Sequence, residues 1–118
     1  MYVQGNTVLV VDDDEINLMV AQTVPESKLS YHVLTAMNGM DGLRILKRQQ
    51  VSAVLLDIEM PHMDGFETLR HIRADMRMRD IPVIMLTAAA DKETVIKVAE
   101  QGVTSYIKKP FLPEDLIG

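Results

Sequence analysis

Short apolar runs rich in β-branched residues alternate along the chain with longer stretches in which apolar residues recur every third or fourth position. The runs read as strands and the stretches as amphipathic helices, and their alternation predicts βαβ units around a parallel sheet. Five strands are predicted, near Thr7–Val11, His32–Ala36, Ala53–Leu56, Val83–Leu86 and Ser105–Ile107. The first, third and fourth are apolar enough to be covered on both faces, whereas the second and fifth belong nearer an edge. Between them Met40, Leu43 and Leu46 mark one helix, Phe66, Leu69 and Ile72 a second, and Val95, Val98 and Ala99 a third.

The punctuation agrees with this division. Asp64 followed by Glu67 has the spacing of a capping box, Gly102 suits a left-handed helix stop, and Pro113 fits the first turn of a last helix. Pro25 lies where the first helix would otherwise continue and should end or kink it near Val24. With 118 residues, 47% of them hydrophobic and 25% charged, the chain suits a single domain over 1–118, and it contains no internal repeat or linker.

Charge and targeting narrow the function. A net charge of −5 argues against a nucleic-acid or anionic-membrane surface, since phosphate contact needs clustered Lys and Arg. Cysteine is absent, which removes disulfides and thiolate metal sites. No apolar stretch reaches the roughly 20 residues of a membrane helix, and the first residues lack a basic-then-apolar leader, so a cytoplasmic protein is expected.

Chemistry collects at the strand ends. Val8–Val11 runs into Asp12, Asp13 and Asp14; Val54–Leu56 into Asp57; Val83–Leu86 into Thr87; and Tyr106-Ile107 into Lys108-Lys109-Pro110. Ligands of an open parallel sheet bind beyond the carboxyl ends of its strands. In the strand order 2-1-3-4-5, strands one and three are central neighbours, so Asp12, Asp13 and Asp57 meet, with Thr87 and Lys109 on the flank. Hard carboxylate oxygens suit magnesium, which shares its remaining positions with water and phosphate. A carboxylate can then attack a phosphoryl group, with Asp57 as nucleophile, a Lys neutralising charge and the Thr87 hydroxyl on a phosphoryl oxygen.

Other residues have plainer readings. Asp14 and Asp64 are helix-entry caps. Lys108 is a solvated neighbour, because adjacent strand residues face opposite ways and Lys109 directly precedes the proline. His62 and His71 have no assigned role. The nine methionines read as core filling, and Arg70, Arg73, Arg77 and Arg79 as a solvated face and loop.

Four strings, Val10-Val11-Asp12-Asp13, Leu55 to Gly65 with Asp57 at its third position, Met85-Leu86-Thr87-Ala88 and Lys108-Lys109-Pro110-Phe111, resemble in order and spacing the receiver domain of two-component response regulators, of the chemotaxis type. The resemblance covers nearly the whole chain. It implies a doubly wound α/β fold, a flavodoxin-like five-stranded parallel sheet. It further implies magnesium, with manganese as a substitute, and phosphoryl acceptance on Asp57 from a histidine kinase or histidine phosphotransfer protein. By the same resemblance Asp13 and Asp57 are direct metal ligands, Asp12 acts mainly through metal-bound water, and Glu59 contributes its backbone carbonyl. Lys109 pairs with the phosphoryl group and the bond before Pro110 is cis. Thr87 and Tyr106 form a switch pair whose output surface is the fourth helix, the fifth strand and the fifth helix. The only chemistry implied is self-phosphorylation and self-dephosphorylation.

Pro25, where the family's first helix commonly runs on, and Ser30, where a glycine often precedes the aromatic, depart from the family pattern; in the family, kinases dock on that first helix. The chain stops about six residues into the last predicted helix, short for a stable helix in water. A trimmed domain with exposed apolar sheet surface, prone to weak homodimerisation, is the expectation. By the resemblance, Glu59, two residues beyond Asp57, and Ala89, two beyond Thr87, stand at positions that border the path of attacking water in the family, so Glu59 is expected to tune the acyl-phosphate lifetime.

Three other functions compete. A magnesium-dependent aspartyl-phosphate phosphatase would want a second acid, usually aspartate, where Glu59 stands, and a substrate cap. A flavin module would need hydroxyls and N–H groups after strand one, where three acids repel phosphate. A receiver-like interaction module that is never phosphorylated would not need a complete acceptor site. The effector domain or downstream target is not encoded in these residues.

Overall fold

The computed structural model describes residues 7–22, 32–87, 92–103 and 106–108. Its elements, in chain order, are β1 (Thr7–Val11), α1 (Glu15–Gln22), β2 (His32–Ala36), α2 (Gly39–Arg48), β3 (Ala53–Asp57), α3 (Gly65–Ala74), β4 (Val83–Thr87), α4 (Lys92–Glu100) and β5 (Tyr106–Lys108). The strands form one sheet in the order β2-β1-β3-β4-β5, and every neighbouring pair is parallel. This is the doubly wound α/β arrangement expected from the pattern. The apolar β1, β3 and β4 lie in the middle.

Strand alternation divides the core into two. Leu9, Val11, Val54, Leu56, Val83 and Met85 face the larger cluster with Leu46 of α2, Phe66, Leu69 and Ile72 of α3, and Val98 of α4. Val10, Leu55 and Leu86 face the other side, where Leu18 of α1 covers them. Covering both faces leaves the carboxyl ends of the strands as the place where polar side chains can gather.

The helix signals act as their chemistry requires. Asp14 Oδ1 accepts from the Ile16 N–H at 2.9 Å, and Asp64 Oδ1 from the Glu67 N–H at 2.9 Å. Gly102 has φ +80, its N–H donates to Ala99 at 3.0 Å, and the Val103 N–H donates to Val98 at 3.3 Å. That pair of bonds is a Schellman stop, and Val98 and Val103, both buried, supply its apolar contact.

Some expectations change. β3 and β4 each run one residue further than predicted, so Asp57 and Thr87 are the last members of the sheet rather than the first of a loop. Met40 is 55% exposed, and the buried face of α2 is Gly39, Gly42 and Leu46. Ala99 is likewise exposed. Methionine is not uniformly core filling: Met60, Met78 and Met85 are buried, but Met19, Met37, Met40 and Met76 are exposed. Arg73 is not merely solvated, because its Nη1 donates to the carbonyls of Arg79 and Ile81, both at 2.8 Å. The readings of Pro25, Ser30, Tyr31, Ala88, Ala89, Ser105, Lys109, Pro110 and the helix from Pro113 fall outside the described residues, as does the side chain of Lys108.

Candidate phosphoacceptor site

β1 and β3 are hydrogen-bonded neighbours with Val11 opposite Leu56. Their ends therefore bring the acids after Val11 beside the acid after Leu56. Asp12, Asp13 and Asp57 each offer a carboxylate oxygen, and the three oxygens lie within 4.8 Å of one another. Asp12 and Asp57 are completely buried, whereas Asp13 is exposed at the rim. Two such charges at that spacing repel by roughly 3 kcal/mol at an effective dielectric near 20. A small divalent cation fits this donor set by charge, by the hardness of its oxygens and by their spacing.

The acids are held differently. The backbone N–H of Asp12 donates to the Ala36 carbonyl at 3.0 Å, tying the turn to the end of β2. Its Oδ1 accepts from the Asp14 N–H at 2.9 Å and its Oδ2 from Asn17 Nδ2 at 3.0 Å. Both oxygens are thus engaged by α1 and its entry, which orients the carboxylate and suits a role at one remove from the ion. Asn17 is a positioning residue that sequence reading missed. Its only signal there is a polar residue five positions beyond Asp12, on the first turn of the helix.

Asp57 is fixed by the sheet. It pairs with Leu86 of β4, and the next N–H, of Ile58, donates to the Leu86 carbonyl at 2.9 Å. Gly65 closes the loop from the other side, its N–H donating to Ile58 O at 2.9 Å. A Cβ at Gly65 would collide with the Asp57 carbonyl oxygen and stand 2.8 Å from Ile58 Cα. The loop that leaves Asp57 therefore returns against its own backbone, and only glycine permits the approach. His62, at φ 68, sits in the same loop in the left-handed region.

Thr87, fully buried at the end of β4, donates its hydroxyl to Glu59 Oε2 at 3.1 Å. Tyr106 pairs with Met85, so it lies on the same sheet face as Thr87, one diagonal step away, and is 41% exposed.

A family model described as the response regulator receiver domain matches residues 8–118. The chain belongs to this family. The receiver domain is 40% identical over 89% of its length to the probable C4-dicarboxylate response regulator DctR of Priestia megaterium, covering 46% of that protein. It is 35% identical over 93% of its length to hybrid signal transduction histidine kinase D of Dictyostelium discoideum, covering 7% of it. The chain thus spans less than half of these curated relatives. Among solved structures, the chemotaxis protein CheY4 of Vibrio cholerae matches with a TM-score of 0.83 and 32% identity, covering 94% of this chain and 92% of that one. The receiver domain of sensor histidine kinase PA1611 from Pseudomonas aeruginosa, with a magnesium ion coordinated in its active-site cleft, matches with a TM-score of 0.82 and 32% identity, covering 96% and 92%.

The fold is accordingly that of the CheY-like, flavodoxin-like proteins. Its function is phosphoacceptor signalling in two-component systems, with histidine kinases or phosphotransfer proteins as the partners of such domains. Membership of the receiver family sets the phosphatase and flavin readings of these residues aside. No helix among the described residues is long and apolar enough to cross a membrane.

Proposed function

We propose that Asp57 is the phosphoacceptor. One observation carries this: a fully buried carboxylate, fixed at the end of β3, whose oxygen lies within 4.8 Å of two further carboxylates. Asp13 and Asp57 would hold magnesium directly, with the Glu59 backbone carbonyl, while Asp12 acts through the ion's water; manganese would substitute. When bound, the ion neutralises carboxylate charge and withdraws charge from the phosphoryl oxygens.

The rest falls to the protein. An Asp57 carboxylate oxygen attacks the phosphorus of a donor phosphohistidine. The O–P bond forms, the N–P bond breaks, and the electron pair returns to the donor imidazole. Lys109 would pair with the transferred group. The Thr87 hydroxyl would leave Glu59 for a phosphoryl oxygen, and Tyr106 would turn inward into the space released. One added charge then biases a two-state surface of α4, β5 and the segment beyond. Small acyl phosphates would serve as alternative donors, since they present the same activated phosphoryl group.

Intact-mass measurement after incubation with acetyl phosphate and magnesium tests this directly. The wild type should gain an acid-labile phosphate and Asp57→Asn should not. An adduct that persists in Asp57→Asn, or none on the wild type, would sink the assignment.

A further inference from the structure

A second concave feature lies at the opposite end of the sheet from Asp57. A cleft of about 590 Å³ opens between the end of α2, the approach to β3 at Ser52 and Ile81 just before β4. It is about one strand length, roughly 16 Å, from the acceptor end. Lys47, Arg48 and Arg77 line it, and no acid does among its described lining residues. In a chain of net charge −5, three cations thus converge on one cavity.

Two plainer roles account for only part of this. Lys47 and Arg48 stand in the last turn of α2, where cations complement the helix dipole. Arg77 Nε forms an ion pair with Asp75 Oδ1 at 3.7 Å, and the Arg77 backbone N–H donates to the same oxygen at 2.8 Å, a largely exposed pair that meets only part of the guanidinium charge. Neither role explains why cations from two separate elements converge on one cavity. The wall between them is mixed: Ile81 packs against the main core, whose buried members Leu46 and Val51 lie beneath, and Gln49, Gln50 and Ser52 complete the lining. Cations beside a wall of one apolar and several polar side chains, in a volume within the range of small-molecule sites, match a ligand with an anionic end and a ring whose face is apolar and whose edges hydrogen-bond.

We propose that this cleft binds a nucleoside phosphate. Lys47, Arg48 and Arg77 hold the phosphates, and the base lies against Ile81 with its polar edge toward Gln49, Gln50 and Ser52. Occupancy ties the end of α2 to the loop before β4, and requires neither magnesium nor the acid cluster, so it stands apart from the assignment of Asp57.

The test is a titration of the isotopically labelled protein with ADP in EDTA, followed by amide chemical shifts, with pyrophosphate in a parallel arm. Saturable shifts should cluster at residues 46–52 and 77–81. Arg48→Ala/Arg77→Ala, two exposed positions, should weaken binding about tenfold or more while the remaining amides stay in place. Pyrophosphate should bind about tenfold more weakly than ADP, having no base to place against Ile81 and the polar residues beside it. No saturable shifts, shifts centred on Asp12 to Asp57, an undiminished affinity in the double variant, or pyrophosphate binding as tightly as ADP would each overturn the proposal.

Discussion

Thr87 gives its hydroxyl to Glu59 at 3.1 Å, across the carboxyl ends of β4 and β3. The same hydroxyl is the group expected to meet a phosphoryl oxygen on Asp57, so Glu59 competes with the phosphoryl group for one donor. A hydrogen bond of this kind is worth about 0.5–1.5 kcal/mol net. Glu59→Ala removes the competitor and a carboxylate able to orient attacking water, and both effects protect the acyl phosphate. The phosphorylated half-life should lengthen about threefold to tenfold, followed as the decay of the phosphoprotein by intact mass. An unchanged half-life would separate Glu59 from the chemistry.

Bringing Asp12, Asp13 and Asp57 within 4.8 Å also makes the fold sensitive to cations. A ligand that binds only the native state stabilises it by RT ln(1 + [L]/Kd), about 1.4 kcal/mol at ten times Kd. Magnesium should therefore raise the thermal midpoint, and EDTA should return it to the apo value. Asp13 is the discriminating position, since it is exposed and its loss disturbs no core. In Asp13→Ala the magnesium-dependent rise should largely disappear, while the midpoint in EDTA should stand at or above wild type, because one of three mutually repelling carboxylates is gone.

Much of this was legible because the fold uses signals that are local. The bounds of β1 and β2 follow from apolar runs alone, and Gly102 and Asp64 announce helix ends by backbone and side-chain chemistry that needs no tertiary partner. Asp12, Asp13 and Asp57 meet because strand order converts three separate strand ends into one place. What escaped is what depends on distance between elements. The bond between Thr87 and Glu59 requires the register that sets Asp57 opposite Leu86. Met40 fits a helical period yet faces outward, because close approach selects Gly39 and Gly42 for the buried side of α2. Lys97 lies 4.4 Å from the centroid of Phe66, joining α4 to α3 by a contact that no spacing within either helix predicts.

The return of the acceptor loop over Asp57 rests on one missing methyl group. Gly65→Ala would drive a Cβ into the Asp57 carbonyl oxygen, a backbone atom that cannot swing aside. Overpacking of this kind costs roughly 1–3 kcal/mol. The urea midpoint should fall accordingly. Because the displaced atom belongs to the acceptor, phosphorylation by acetyl phosphate should slow as well, even below the unfolding transition. Normal phosphorylation in a destabilised Gly65→Ala protein would show that the loop gives way without moving Asp57.

Arg73 offers the opposite separation, a structural role remote from the chemistry. One guanidinium nitrogen donates to Arg79 O and Ile81 O, so α3 holds the loop that feeds β4 at the amino end of the sheet. Hydrogen bonds involving a charged group contribute roughly 1.5–3 kcal/mol, and partial exposure puts this pair toward the lower figure. Arg73→Ala should lower unfolding free energy by about 1–2 kcal/mol in urea. Arg73→Lys should recover only part of it, since an ammonium lacks the fixed planar fork that spans two carbonyls. Phosphorylation of the folded fraction should stay at the wild-type rate in both variants, because Asp57 lies at the other end of the strands. A slowed rate in either would mean that the loop before β4 communicates with the acceptor through the strand itself.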